Sequence, residues 1–261
     1  MQDKIVLSMN FPVDISFIAE PVVSPEGKVI AMEVLSRFFL PEKEGGVLFP
    51  SDFLFRRASR TDKVVLFMRQ IEAVCGQALF FNENNICCTI NADRDIAGMI
   101  CNSPEVKNQL ISMPFIRLEI SETFSEMNGA TTDPLLSALS NDFGLWLDDF
   151  GTGHANLAAL QCGLFDTVKI DKTFFWAQAD KPLWPVILRE LRRHVSAVVV
   201  EGVENRVQIG QLTHAVEGMQ GYFFPAVPLH SPGAALEHAR FACTETLADN
   251  EGAVRSGSEA P

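Results

Sequence analysis

Six short apolar runs, each preceded by a stretch with helical pattern, constrain the fold of this 261-residue chain more than any other feature. They are ICCTIN (86–91), FIRLEIS (115–121), LWLDD (145–149), DTVKID (166–171), SAVVVEG (196–202) and MQGYFF (219–224). All are rich in Val, Ile or Phe and short enough to be strands. Ahead of them, residues 13–39 read as two strands around the turn Ser24-Pro25-Glu26-Gly27. So short a connection makes that pair antiparallel. Between the runs, Ser51, Ser103, Asp133 and Ser231 are candidate helix N-caps, and Pro104, Pro134 and Pro232 follow three of them directly. VVLFMRQIEAVCGQALFF (64–81) and LWPVILRELRRH (183–194) carry amphipathic helical periodicity. Eight strands, six of them reached through a helical crossover, predict an α/β fold closed into a (β/α)8 barrel of the TIM type, modified by an antiparallel first strand. A doubly wound open sheet satisfies the same pattern less well. With no internal repeat, residues 1–243 read as one domain, and the polar, small-residue segment 244–261 as a disordered tail.

Composition excludes several roles. A formal net charge of −12 argues against gripping a nucleic acid polymer or an anionic membrane, though bound cations can reverse the sign of a pocket for a small anion. The six cysteines show no CxxC spacing and read as reduced, mostly buried thiols. Asp3 and Lys4, followed by a short apolar stretch broken at Ser8 and Asn10, do not make a secretory signal. No apolar segment is long enough to span a bilayer, so a cytoplasmic location is expected.

In a barrel of this kind chemistry sits at the C-terminal ends of the strands, so what each run delivers as it finishes matters. The order is Glu33, Asn91, Glu119 with Glu122 just after it, Asp148 and Asp149, Lys169 and Asp171, Glu201, and Gln220. Taken singly each has a plain explanation. Glu33 reads as solvated or salt-bridged, Asn91 as a turn residue, and Lys169 and Asp171 as partners of their neighbours. Gly151 and Gly153 read as backbone devices that permit positive φ. Seven successive strands ending in charged or amide groups at one mouth outweigh those explanations. The set is hard and oxygen-rich, suited to Mg²⁺ or Mn²⁺, and holds enough acid for two ions about 3.5–4 Å apart. Two-metal sites of this type hydrolyse phosphate esters, and Lys169 supplies a fixed positive charge to orient water or phosphate.

The same residues resemble a known family. EVLSR (33–37) is similar to the E-x-L-x-R signature of EAL domains, bacterial phosphodiesterases of the second messenger cyclic di-GMP. IN (90–91), EISE (119–122), DDFGTG (148–153), KID (169–171), EGVE (201–204) and QGY (220–222) follow in that family's order, from about residue 17 to 230. The absence of a partner domain is similar to the stand-alone enterobacterial type.

The resemblance implies a barrel with an antiparallel first strand and hydrolysis of cyclic di-GMP to linear pGpG. It implies one metal on Glu33, Asn91, Glu119 and Asp148, and a second on Asp148, Asp149 and Glu201. Glu33, Asp149, Lys169 and Glu201 would be catalytic, with Lys169 holding the attacking water. Leu35, Arg37, Lys169, Gln220 and Glu20 would contact the nucleotide, Arg37 through a phosphate. Glu122, Asp171 and Glu204 would support loops and ligands from behind. The loop and helix after Asp149, with Leu157, Leu160 and Leu164 at helical spacing, would form a homodimer interface, although such leucines are more often core.

Three departures stand out. The signature carries Val34 where the family has Ala, Glu20-Pro21 stands where Gln-Pro is common, and His154-Ala155-Asn156 replaces Tyr-Ser-Ser. A non-catalytic EAL-like nucleotide receptor or protein-binding regulator is the alternative, and an unrelated two-metal barrel hydrolase is a third reading resting on fold analogy.

Overall fold

The opening hairpin is the seam at which a sheet closes on itself. The computed structural model describes residues 3–7, 11–40, 47–124, 133–152 and 157–240. Its strands are β1 Asp3–Leu7, β2 Phe11–Val23, β3 Val29–Leu40, β4 Val47–Phe49, β5 Cys87–Asn91, β6 Ile116–Ser121, β7 Gly144–Phe150, β8 Thr167–Ile170, β9 Ala197–Val200, β10 Gly218–Met219 and β11 Val227–Pro228. The hydrogen-bonded order β2-β10-β9-β8-β7-β6-β5-β3, together with the direct β2–β3 pairing, makes a closed eight-stranded barrel. β2 runs antiparallel to both neighbours, and the remaining barrel pairs are parallel. The expected barrel with an antiparallel first strand is therefore the observed one, and the open sheet is not.

Two strands run past the barrel. β2 and β3 stay paired out to Asp14 and Phe39, where β1 joins β2 and β4 joins β3, both antiparallel. This extension has its own small core of Val13, Ile15, Phe38, Leu54 and Leu66. Neither β1, β4 nor β11 was expected from the sequence. β4 and β11 have three and two residues and exist only by pairing with a longer strand.

The helices are α1 Ser51–Arg57, α2 Arg60–Cys75, α3 Ala78–Asn84, α4 Arg94–Asn102, α5 Pro104–Ile111, α6 Pro134–Ser140, α7 Leu157–Gln161, α8 Lys172–Gln178, α9 Trp184–Leu191 and α10 Arg206–Leu212. Ser103 and Asp133 cap α5 and α6, with proline at the first helical position of each. Ser51 is instead the first residue of α1, its hydroxyl donating to the Ser36 carbonyl. The apolar run 64–81 is divided at Gly76 and Gln77 into α2 and α3, which meet at 57°. No single described helix is long and apolar enough to cross a membrane.

Alternation along each barrel strand sends every second residue outward to the helices. Val34, Ile90, Leu118, Leu147, Val168 and Val198 form the main core there with Ile71, Phe81 and Leu188. The other residues face inward. Val22, Ala31, Trp146 and Val199 make a separate apolar layer inside the barrel. Cys75, Cys87, Cys88, Cys101 and Cys162 are free thiols, but they are not mostly buried as expected: Cys88 is buried, Cys87 and Cys101 are half-buried, and Cys75 and Cys162 are exposed. The segment 244–261 and Cys243 lie outside the described residues.

Candidate functional site

Each of these site residues stands two positions along the chain from a residue of the inward face, Glu201 and Gln220 one residue past the ends of β9 and β10. Ala31 leads to Glu33, Arg117 to Glu119, Trp146 to Asp148, Thr167 to Lys169, Val199 to Glu201 and Gly218 to Gln220. On the antiparallel β2 the step runs backwards, from Val22 to Glu20, and Glu20 lies directly opposite Glu33. The period of two therefore stacks a ring of polar groups on an apolar plug.

Lys169 is the centre of that ring and is 1% exposed. Its Nζ donates to Glu33 Oε2 at 3.0 Å and Glu119 Oε2 at 2.9 Å, and lies 2.8 Å from Glu201 Oε1 and 3.1 Å from Asp148 Oδ1. An ammonium has three donors, and four carboxylates compete for them. Asp148 Oδ1 is accordingly close without hydrogen-bond geometry, and Glu119 Oε1 and Gln220 Oε1 are buried with no partner among the described residues. Glu33 Oε1 accepts from Asn91 Nδ2 at 2.9 Å and Glu33 Oε2 from Gln220 Nε2 at 2.8 Å.

Asp148 and Asp149 reach the same mouth through a bulge. Leu147 pairs with Val168 and Phe150 with Ile170, so two aspartates oppose the single residue Lys169. In a regular strand their side chains would point to opposite faces. Asp149 instead takes φ of 61°, a left-handed conformation that Asp tolerates better than most residues. Glu122 secures the turn that follows, accepting from the Gly151 N–H at 2.9 Å and from Thr152 Oγ1 at 3.3 Å. Gly151 has φ of 105°, and a Cβ there would stand 2.4 Å from the Phe174 ring. Residues 153–156, including His154-Ala155-Asn156, lie outside the described residues.

The electrostatics follow from crowding. Burial opposes the charge on Glu33, yet Lys169 and the amides of Gln220 and Asn91 hold its carboxyl below the usual range. Burial, then the Glu33 charge, pushes Glu119 well up. Burial likewise raises Asp148, raises Asp149 to about 6 with help from Asp148, and raises Glu201 to about 7. Burial alone would lower Lys169, but the surrounding carboxylates drive it far above an ordinary lysine.

This donor set fits divalent cations. Asp148, Asp149 and Glu201 offer oxygens within 4.8 Å of one another. Five carboxylates against one ammonium leave four formal negative charges, an excess that bound cations would offset. The candidate ligand atoms are hard oxygens, and Glu119 Oε1 is a buried acceptor with no donor among the described residues.

Beside the ring opens a cavity of about 430 Å³ whose wall includes Glu33, Leu35, Arg37, Asn91 and Asp148. Glu33, Leu35 and Arg37 alternate along β3 and so share one face. Arg37 Nη2 is 3.2 Å from Glu20 Oε1. Burial and the Glu33 charge raise the Glu20 carboxyl, while Arg37 lowers it. Lys63, Asp93 and Phe55 also line this space, and the sequence reading missed them. Lys63 on α2 reaches Asp93 Oδ2 at 2.6 Å and Asp95 Oδ2 at 2.9 Å across 30 residues of chain, a pairing with no local signal.

The expected supporting residues Asp171 and Glu204 differ in position. Asp171 caps α8, accepting from the Thr173 N–H at 2.8 Å, and its charge is one of those that raise Asp149. Glu204 is exposed, and its backbone N–H donates to Gln208 Oε1. It does not reach the ring, because the chain turns at Gly202, with φ of 74°, into the cap of α10. In α7, Leu160 is buried in the main core and Leu164 packs against it.

The model of the EAL domain matches residues 14–226. The anti-FlhC(2)FlhD(4) factor YdiV of Salmonella arizonae is 23% identical over 214 residues, 80% of this chain and 90% of that protein. The cyclic di-GMP phosphodiesterase PdeH of Escherichia coli K12 is 28% identical over 190 residues, 71% of this chain and 72% of that protein. The crystal structure of the EAL-like domain protein YdiV superposes with a TM-score of 0.77 at 21% identity, covering 85% of this chain and 96% of that one. The chain belongs to the EAL domain family.

Proposed function

We propose that this protein is a metal-dependent phosphodiesterase that hydrolyses cyclic di-GMP to linear pGpG. The observation that carries the reading is the filled ring: Glu33, Asn91, Glu119, Asp148, Asp149 and Glu201 stand around Lys169 at one end of the barrel with no ligand position lost. Glu33, Asn91, Glu119 and Asp148 would hold one Mg²⁺ or Mn²⁺, and Asp148, Asp149 and Glu201 a second. Bound there, such ions acidify water and neutralise phosphate oxygens. Lys169 holds the carboxylates in one geometry, and where bound ions take up some of those carboxylates its ammonium would have a donor for the attacking water. Arg37 and Leu35 form the wall against which the phosphodiester lies, and Gln220 orients the nucleotide.

The name of PdeH supports the same substrate. Residues 1–243 act as one domain in the cytoplasm, and the segment after Asp149 contributes to a homodimer. The test is incubation of purified protein with cyclic di-GMP and Mg²⁺ or Mn²⁺ at alkaline pH, with pGpG resolved by chromatography. Absence of turnover under both metals rejects the reading.

A second reading is a regulator that binds another protein and does not turn over nucleotide. It is favoured by YdiV relatives named for acting against FlhC(2)FlhD(4), which this chain matches over 90% of their length. Intact cyclic di-GMP after saturation with metal, together with co-purification of an FlhD-like partner, would select it.

A further inference from the structure

We propose that Glu20 is a specificity-determining residue that competes with the substrate phosphate for Arg37, an inference that rests on the phosphodiester-binding reading above. Glu20 and Arg37 come from adjacent antiparallel strands, Glu20 opposite Glu33 and Arg37 opposite Ser16. They bridge that offset through side chains alone, Arg37 Nη2 donating to Glu20 Oε1 at 3.2 Å. Arg37 lines the 430 Å³ cavity beside Glu33 and Asp148. A guanidinium recognises phosphate through a two-donor edge, and a carboxylate on Nη2 takes part of that fork.

Within the site Glu20 is turned toward Arg37: Oε1 accepts from Arg37 Nη2 at 3.2 Å, while Oε2 has only the longer 3.4 Å contact with Gln220 Nε2, which donates a shorter bond to Glu33. What Glu20 adds to the mouth is a negative charge held against Arg37, which lines the cavity. A phosphate approaching Arg37 must displace that carboxylate or share the guanidinium with it. Only a ligand that gains elsewhere, from the nucleotide wall and from bound cations, does so. The contact therefore selects against simple phosphates and sets a weak affinity for the dinucleotide. The pair is about one-third exposed on each side, at 31% and 29%, so its effect is modest.

The experiment is calorimetric titration of cyclic di-GMP into the full chain with Ca²⁺ as the divalent ion, the nucleotide being recovered afterwards to verify that it is intact. Glu20→Gln removes the charge, and Glu20→Asp keeps the charge but withdraws it from Nη2. Competition predicts that Glu20→Gln binds about fivefold tighter, the size expected for one partly exposed ion pair, and that Glu20→Asp shows part of the gain. Melting temperatures within the range of wild type confirm folding. Unchanged or weaker binding by Glu20→Gln overturns the proposal, as does a gain in Glu20→Gln with none in Glu20→Asp, which would mark a general effect of charge at the mouth and not the contact with Arg37. Absence of binding by all three proteins overturns it too. Binding without hydrolysis in Mg²⁺ would end the phosphodiesterase reading while leaving the competition for Arg37 in place.

Discussion

Lys169 Nζ stands 2.9 Å from Glu119 Oε2, and neither side chain is more than 1% exposed. That pair lies within a cluster in which one cation is shared by four carboxylates. A lone buried charge is costly, and removing one partner of a buried pair leaves the other uncompensated. Lys169 is consequently a structural cation as well as a proposed catalytic one.

Lys169→Met should destabilise the metal-free protein by about 3–5 kcal/mol, as for other broken buried pairs. Added Mn²⁺ should recover much of the loss, since divalent ions neutralise the same carboxylates. Urea denaturation with and without Mn²⁺ measures both. Equal stability of variant and wild type in EDTA would show that the carboxylates are not charged together.

Glu33 accepts from Lys169, Asn91 and Gln220 and so ties three strands. Glu33→Ala should lower turnover of cyclic di-GMP by at least about 100-fold, beyond the loss seen for an outer partner of a metal ligand. Retention of most activity in the chromatographic assay would reject Glu33 as a ligand.

Asp149 titrates near 6 and Glu201 near 7, above the ordinary carboxyl range. The folded, metal-free state thus keeps protons that the unfolded chain releases near pH 4, so these groups lose stability as pH rises from about 4 to 7. Metal replaces the protons. The rise in melting temperature on adding Mn²⁺ should be larger at pH 8 than at pH 5. An equal rise at both would detach these two groups from the metal.

The left-handed backbone at Asp149 and its carboxylate are separable. Asp149→Asn tolerates the conformation and removes a repelling charge, so its metal-free melting temperature should not fall while its Mn²⁺ affinity does. Asp149→Val should cost about 1–2 kcal/mol from backbone strain alone. Thermal melts and Mn²⁺ titration of the two variants test this, and identical behaviour would show that the bulge needs no particular residue.

Glu122 receives the Gly151 N–H and the Thr152 hydroxyl behind the paired aspartates. Glu122→Ala should weaken Mn²⁺ binding by about 10- to 100-fold through the loosened turn. Affinity equal to wild type would confine Glu122 to the turn itself.

The strand ends were legible in the sequence because a barrel repeats one local rule. Every short apolar run alternates with period two, so the residue at its end has a determined face whatever the neighbouring strand does. That is why Glu33, Asn91, Glu119, Asp148, Lys169, Glu201 and Gln220 could be gathered before any distance was measured, and why the antiparallel start followed from one tight turn. Relationships between strands carry no such local record. The two-against-one bulge opposite Lys169, the Glu20 carboxylate on Arg37 and the reach of Lys63 to Asp93 depend on register and on helix placement. Glu204 shows the converse: its motif neighbour Glu201 lines the ring, while a single left-handed glycine turns Glu204 out to solvent. Local patterning decides which side chains face inward. Closure of the barrel decides which of them meet, because packing and pairing across more than a hundred residues set the distances at which charges attract or repel.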